Sequence, residues 1–327
     1  MYGISSLYGG LVKKILFVLT LSLLFVLLFT HPAVIASGCS LGLTLWYTAV
    51  LPSLLPFLIF SNLLMRTGIF HYLNRLYAPV LCRIFHISEA GCYAVLLGFL
   101  CGFPMGAKVI ADLVREDHIC ATEGAYLLGF CNNVSPAFFL NYVCLLKLRY
   151  SEIPWRLVLF FYLLPVCYAI ITRPFYHFEI SSTGSTKKQA PTHRLNFPML
   201  DACIMDGFST ITRLGGYIML FTILAQFLKL LPLSSYALAF FSALLEISCG
   251  IDQLAALQGL NSLSKTACIC MCAAFGGLCI LAQTKSVLEG TSLRITPWLV
   301  GRLSLVLLLA LLFQAPAVVA AVLPGCY

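Results

Sequence analysis

The sequence predicts an all-α, polytopic membrane protein built from two inverted repeats, each with a re-entrant or broken helix. Three observations lead there. The chain is 61% hydrophobic and only 10% charged, whereas a soluble domain carries roughly 25% charged residues to face water. The surplus apolar surface must therefore face lipid. The apolar residues gather into nine stretches, most of them near the roughly 20 residues that a helix needs to cross the hydrocarbon. Finally, Lys and Arg divide strongly between the two faces in only one threading of those stretches.

In chain order, the first stretch is 15–30, which follows Lys13 and Lys14 in the manner of a signal peptide. Ala36–Ser37–Gly38–Cys39 resembles a lipoprotein cleavage site, but Ala36 stands where leucine is usual, so a retained first helix is expected. Next come 43–64, the short 89–103, then 125–146 and 157–172. A polar loop, 173–200, separates these from 210–231, the short 237–249, 266–283 and 298–322; its 181–188 segment reads as a solvated linker. Both short stretches carry a glutamate and end in glycine-containing turns. If all nine cross, Lys and Arg divide about 12 inside to 8 outside. If the two short ones dip in and leave by the same face, the division becomes about 15 to 5. Only Lys147, Arg149, Arg156, Lys229 and Lys265 then lie outside, as the positive-inside rule favours.

That threading exposes a repeat. A span, a re-entrant segment and two spans recur after the polar loop, and three crossings per unit turn the second unit upside down. Leu97–Gly98–Phe99–Leu100–Cys101–Gly102 parallels Leu245–Glu246–Ile247–Ser248–Cys249–Gly250, and Ser135 and Gln283 each lie 33 residues beyond the closing glycine. The expected organisation is an N-terminal membrane helix and connection (1–40), a first repeat (41–172), a polar cytoplasmic linker (173–200) and a second, inverted repeat (201–327). Inverted repeats with broken helices mark secondary transporters, because two such halves can open a midplane site to either face in turn.

Composition excludes several other classes. The net charge of +8 reads as topology signals at helix ends, so no nucleic acid partner is expected. The fifteen cysteines show no metal-ligand spacing, and the densest run, Cys268–Ile269–Cys270–Met271–Cys272, lies within an apolar stretch. Cysteine serves there as a small hydrophobe, and neither a metal nor a cofactor is expected. No Walker-type phosphate loop, His-Glu-x-x-His or G-x-S-x-G is present. An ATP-driven pump and the familiar hydrolases are set aside, and the chain is not expected to be an enzyme.

Three constellations carry the candidate chemistry. Gly102, Pro104, Gly106 and Lys108 stand in a run that cannot form one continuous helix. Pro104 suits the first turn of a new helix, whose N-terminal amides attract anions; the alternative is a tight helix crossing that needs small residues. Asn132, Asn133 and Ser135 precede Pro136 within a long apolar segment. They could bind a polar ligand or sodium, or simply bond between helices. Glu246 and Ser248, with Gln283 and Thr284 in the paired segment, form the third. An intramembrane carboxylate is a functional hypothesis by default; Glu246 could take up a proton or balance a driving cation, or pair with Arg213 or Lys265. Glu89 is expected at the interface. Arg213 is expected just inside the start of its span, snorkelling to the headgroups.

At Gly102–Phe103–Pro104–Met105–Gly106–Ala107–Lys108, at Phe130–Cys131–Asn132–Asn133–Val134–Ser135–Pro136, and at Phe275–Gly276–Gly277 with Gln283, the sequence resembles the sporulation integral membrane protein YlbJ family. That family belongs to a wider group with a nucleoside-recognition Gate domain, related to concentrative nucleoside transporters. The resemblance runs over about residues 41–302. It implies a role in endospore formation, with dipicolinic acid, a small aromatic dicarboxylate, moved across the outer forespore membrane. It departs from the family where a histidine is expected just before Ala282–Gln283, for Ile280–Leu281 stand there. The expected function is thus a secondary transporter of a small anion, driven by sodium or protons, in the lipid bilayer. Alternatives are a structural or regulatory subunit of a complex with other sporulation membrane proteins, and a nucleoside carrier by fold analogy.

The threading can be checked with alkaline phosphatase fusions in a bacterial host. Fusion after Tyr150 should give activity and fusion after Lys188 should not; the reverse pattern would overturn the re-entrant threading.

Overall fold

A computed structural model of the chain describes residues 29–178 and 196–322, together with Val18, Ser22 and residues 25–27. Most of the predicted first helix, Lys13 and Lys14, and the 181–188 segment of the linker lie outside the described residues. The described residues are helical throughout, with no β-strand among them.

The first half opens with α1 (Pro32–Leu45), a π-helical stretch (Trp46–Val50) and α2 (Leu51–Thr67) in one run. The π stretch immediately precedes Pro52 and Pro56, where proline cannot supply the regular helical hydrogen bond. Helix α2 stops at Gly68, whose φ of 71° is left-handed. Helix α3 (Phe70–Phe85) follows, and its 75–85 part meets α4 (Glu89–Cys101) at 95°.

Two helical hairpins define the architecture. In the first, α4 turns back into α5 (Met105–Arg115) at Gly102. Gly102 has φ 83° and ψ −169°, a region that only glycine occupies comfortably, and a side chain there would also strike the backbone of Ser135. Phe103–Pro104 is a cis peptide, and Pro104 stands at the N-cap position of α5, one residue before the first turn where the sequence reading put it. In the second hairpin, α9 (Ser235–Leu245) turns into α10 (Ile247–Ala256) through Glu246 alone. Its arms press together at Ala243 and Gly250, leaving no room for a side chain on Gly250.

Each hairpin is followed by an interrupted helix. Helix α6 (Ala121–Phe130) breaks and resumes as a π-helical stretch (Phe138–Lys147), before α7 (Trp155–Thr172). Helix α11 (Ser262–Phe275) turns at Gly276 into α12 (Gly277–Val287), before α13 (Thr296–Leu312) and the short α14 (Pro316–Val322). By order in the series, Gly102 corresponds to Glu246, and the break at 131–135 to Gly276. This corrects the pairing drawn from the sequence. Gly250 and Gln283 lie inside α10 and α12, about one turn and two turns past the positions where the chain bends.

Helix α8 (Phe197–Leu228) runs antiparallel to α1 and α2: Thr222 Oγ1 donates to the Gly38 carbonyl at 2.9 Å and Trp46 Nε1 to that of Ile211 at 2.9 Å. Because α8 begins at Phe197, well before residue 210, Arg213 is an exposed mid-helix residue rather than the start of a span. The open ends of the hairpins meet the opposite halves. Arg115, at the end of α5, donates to the carbonyls of Val287 at 2.6 Å and Glu289 at 2.8 Å. Asp252, in α10, pairs with Lys147 at 2.7 Å. Both contacts join segments that the charge-favoured threading puts on one face.

Among the described residues, Phe197–Leu228, Ser262–Val287 and the run Trp155–Phe175 are long and apolar enough to cross a membrane, and up to five spans result if the bent pairs 75–85 with α4 and α13 with α14 (98°) each count as one. Their outer faces suit lipid: on α13, Leu303, Leu307 and Leu311 are exposed, whereas Leu305 and Leu309 are buried. The chain is an all-α polytopic membrane protein.

Replacing Gly102 with alanine should destabilise the fold by about 1–3 kcal/mol from backbone strain alone, more with the Ser135 contact. Thermal melting in detergent should show the loss, whereas Leu76→Ala, on a side chain 88% exposed, should leave the midpoint unchanged.

Candidate functional site

The break at 131–135 is largely buried, so its freed backbone groups need partners. Side chains supply three such bonds. Asn133 Nδ2 donates to the Phe130 carbonyl at 2.7 Å, Tyr162 Oη to that of Val134 at 2.9 Å, and Ser135 Oγ accepts from the Phe138 amide at 3.2 Å. Asn132 and Asn133 are fully buried. The tip of the first hairpin rests on this break, with Gly102 against Ser135 and Gly106 against Cys131 and Asn132. Gly102, Pro104, Gly106, Asn132, Asn133 and Ser135 therefore form one contiguous group. The expected anion-attracting amides of α5 are partly taken, since Ala107 donates its N–H to Asn132 Oδ1 at 3.3 Å.

Asn132 also links the halves, donating from Nδ2 to Thr284 Oγ1 at 3.1 Å. Phe103, at the hairpin tip, lies beside Gly276 and edge-on to Trp298, with ring centroids 6.4 Å apart. Tip and breaks of the two halves thus converge. The second tip is built differently. Glu246 is buried, and its Oε2 accepts from the Cys249 amide at 2.8 Å, capping α10. Among the described residues it makes no ion pair, so the suggested bridges to Arg213 or Lys265 do not form; Lys265 donates instead to the Ala255 carbonyl at 3.0 Å. Ser248 is buried and its carbonyl accepts from Tyr142 Oη at 3.3 Å. Gln283 is buried one turn from Cys279, its Nε2 lying 3.2 Å from that sulfur.

Lys108 faces elsewhere. Its Nζ pairs with Asp112 at 2.8 Å, lies 3.7 Å from Asp206 and 3.4 Å from Asn62 Oδ1, while Asp206 accepts from Asn62 Nδ2 at 2.8 Å. Asp112 also holds Arg115 at 2.7 Å. This charged cluster ties α5 to α2 and α8 and leaves the lysine ammonium engaged by carboxylates rather than free beside the tip.

Two buried charges escaped the sequence reading. Glu123, 3% exposed, accepts from the Ser88 amide at 2.7 Å and ties the start of α6 to the start of α4. Arg302, 1% exposed on α13, donates to Asn133 Oδ1 at 2.7 Å and approaches the Gly129 carbonyl at 3.4 Å. Its guanidinium lies 5.9 Å from the Phe103 ring centre. Helix α13 crosses α6 so closely at Gly301 that a side chain there would meet the Gly129 carbonyl oxygen. The signal was present, since Arg302 is the one charged residue in the apolar stretch 298–322.

Compared with known proteins, the chain is 26% identical over 309 residues to the sporulation integral membrane protein YlbJ of Bacillus subtilis (strain 168), covering 84% of this chain and 75% of that one. The chain is thus similar to a YlbJ protein over most of its length. The motifs that carry the resemblance, at Gly102–Lys108 and Phe130–Pro136, form the first hairpin tip and the break it rests on. No family model and no solved structure matches the chain.

Asp112→Asn should lower stability by about 1–3 kcal/mol, the scale of a hydrogen bond to a charged group, because Lys108 and Arg115 both lose a carboxylate. A lowered thermal midpoint in detergent is the expected result; an unchanged midpoint would show that Asp206 alone suffices for Lys108.

Proposed function

We propose that the chain is a secondary transporter of a small anionic metabolite, with dipicolinate as its substrate during endospore formation. One observation carries the reading: a helical hairpin whose tip rests on an interrupted helix occurs twice in the chain, and the two assemblies meet. Gly102 abuts Ser135 in the first, and the Leu245 carbonyl abuts Gly277 in the second. Broken helices gathered at membrane depth suit alternating access, because their irregular backbone can be exposed to one face or the other as a hairpin moves. The reciprocal contacts of Arg115 with 287 and 289, and of Asp252 with Lys147, support an inverted relation between the halves.

In this reading Asn133 and its neighbours Asn132 and Ser135 form the polar floor of the site, and Thr284 joins it from the second half. Glu246, buried and without a cation partner among the described residues, takes up the coupling proton or balances the coupling sodium. Dipicolinate comes from the resemblance to the YlbJ family, and the nearby Arg302 suits an anion. No step requires a resident cofactor or an enzymatic reaction.

The purified full chain, reconstituted in liposomes, should take up labelled dipicolinate saturably under a sodium or proton gradient. Asn133→Ala and Glu246→Gln should each reduce uptake at least tenfold without lowering the amount of protein inserted. No uptake by folded protein would sink the dipicolinate carrier and favour a scaffold role in a sporulation membrane complex. Normal uptake by both variants would remove these residues from the site.

A further inference from the structure

Two buried donors on α13 have no acceptor. Trp298 is 0% exposed and Arg302 1%, yet among the described residues neither Trp298 Nε1 nor Arg302 Nε has a hydrogen-bond partner. The two residues stand one helical turn apart, and both turn toward Phe103, at 6.4 Å and 5.9 Å. Arg302 is also a full charge that makes no ion pair among the described residues. Its bonds to α6 and the break satisfy only part of it, the structural role being to cap the end of α6: Asn133 Oδ1 takes Nη1 at 2.7 Å, while the 3.4 Å approach of Nη2 to the Gly129 carbonyl is long for such a bond. A buried charge without a counter-charge is strongly unfavourable, and an unpaired indole N–H beside it adds to that cost. An acceptor that is anionic and planar would satisfy both.

We propose that Arg302 and Trp298 form a carboxylate-binding subsite, holding one carboxylate of the carried anion while the Phe103 ring covers its apolar body. The proposal rests on the transporter reading above and deepens it. The guanidinium fork matches a carboxylate edge, and the indole N–H supplies a neutral donor from the same helix face. The subsite borders a cavity lined by Asn133, Val134, Phe161, Ala274, Arg302 and Leu305, with about 10 Å³ of free space, roughly room for one water. An aromatic acid therefore enters only when the hairpin tip draws Phe103 away. Tip motion and anion binding become one event.

The test uses the full chain in liposomes and in detergent, with dipicolinate and its neutral isostere pyridine-2,6-dicarboxamide as probes. Arg302→Gln should raise the dipicolinate KM roughly 10- to 100-fold and abolish the preference for the acid over the diamide. Trp298→Phe, which keeps the ring and loses only the N–H, should raise KM severalfold with kcat little changed. Leu303→Ala, on the lipid face, serves as the unchanged control. If Arg302→Gln fails to fold, Trp298→Phe and Arg302→Lys carry the test: a cap role predicts normal KM in both, and that result would overturn the proposal. If the wild type transports nothing, thermal stabilisation decides. Stabilisation by dipicolinate and not by the diamide, lost in Trp298→Phe, keeps the subsite while the carrier reading falls. Absence of any such stabilisation in folded protein overturns the subsite too.

Discussion

The structure depends on one constraint: a backbone that leaves the helix inside a membrane must find hydrogen-bond partners within the protein. The polar residues around the breaks answer to it. Asn133, Tyr162 and Ser135 take the groups that the 131–135 break sets free, and Glu246 caps the helix that begins at the second tip. Side chains that a hydropathy profile marks as misplaced are thus what permits the interruptions. Two of them, Asn132 and Asn133, also reach the other half of the site, through Thr284 and Arg302. Keeping the break intact and joining the halves are tasks of the same amides.

The positive groups divide by partner. Lys108 and Arg115 are held by Asp112, Asp206 and carbonyl oxygens, and they fasten α5 to its neighbours. Arg302 has carbonyl-type partners only, and its field is not cancelled locally. Sequence position gave the opposite emphasis, because Lys108 sits in a glycine-rich motif and Arg302 in a run of leucines. Burial and neighbours, not motif membership, decide which cation is left without a counter-charge.

The first half was legible because its breaks use glycine and proline. Gly102 and Pro104 interrupt a helix by their covalent geometry, and Asn132 through Pro136 stand out in an apolar segment. The second half was misread by about one turn, since its hairpin turns at Glu246, a residue with no intrinsic bias toward a bend. What makes that turn is the contact between Ala243 and Gly250 across the hairpin, and pairwise packing leaves little trace in a linear pattern. Helix α8 was read too short for a related reason: its N-terminal half carries Asp201 and Asp206, which lower the hydropathy, although Asp206 bonds to Asn62 of α2. Arg302 was readable and overlooked.

The bond from Arg115 to the 287 and 289 carbonyls fastens the first hairpin at its open end, whereas its tip is held by packing and by the Ala107–Asn132 bond. Were the hairpin to turn about Arg115, it would act as a lever. Helix α5 has 11 residues, about 16 Å of arm, so a rotation of roughly 10° about that pivot carries the tip about 3 Å. A displacement of that size is close to the thickness of an aromatic ring. Small angular play at the open end would therefore be enlarged to a ring's thickness at the tip.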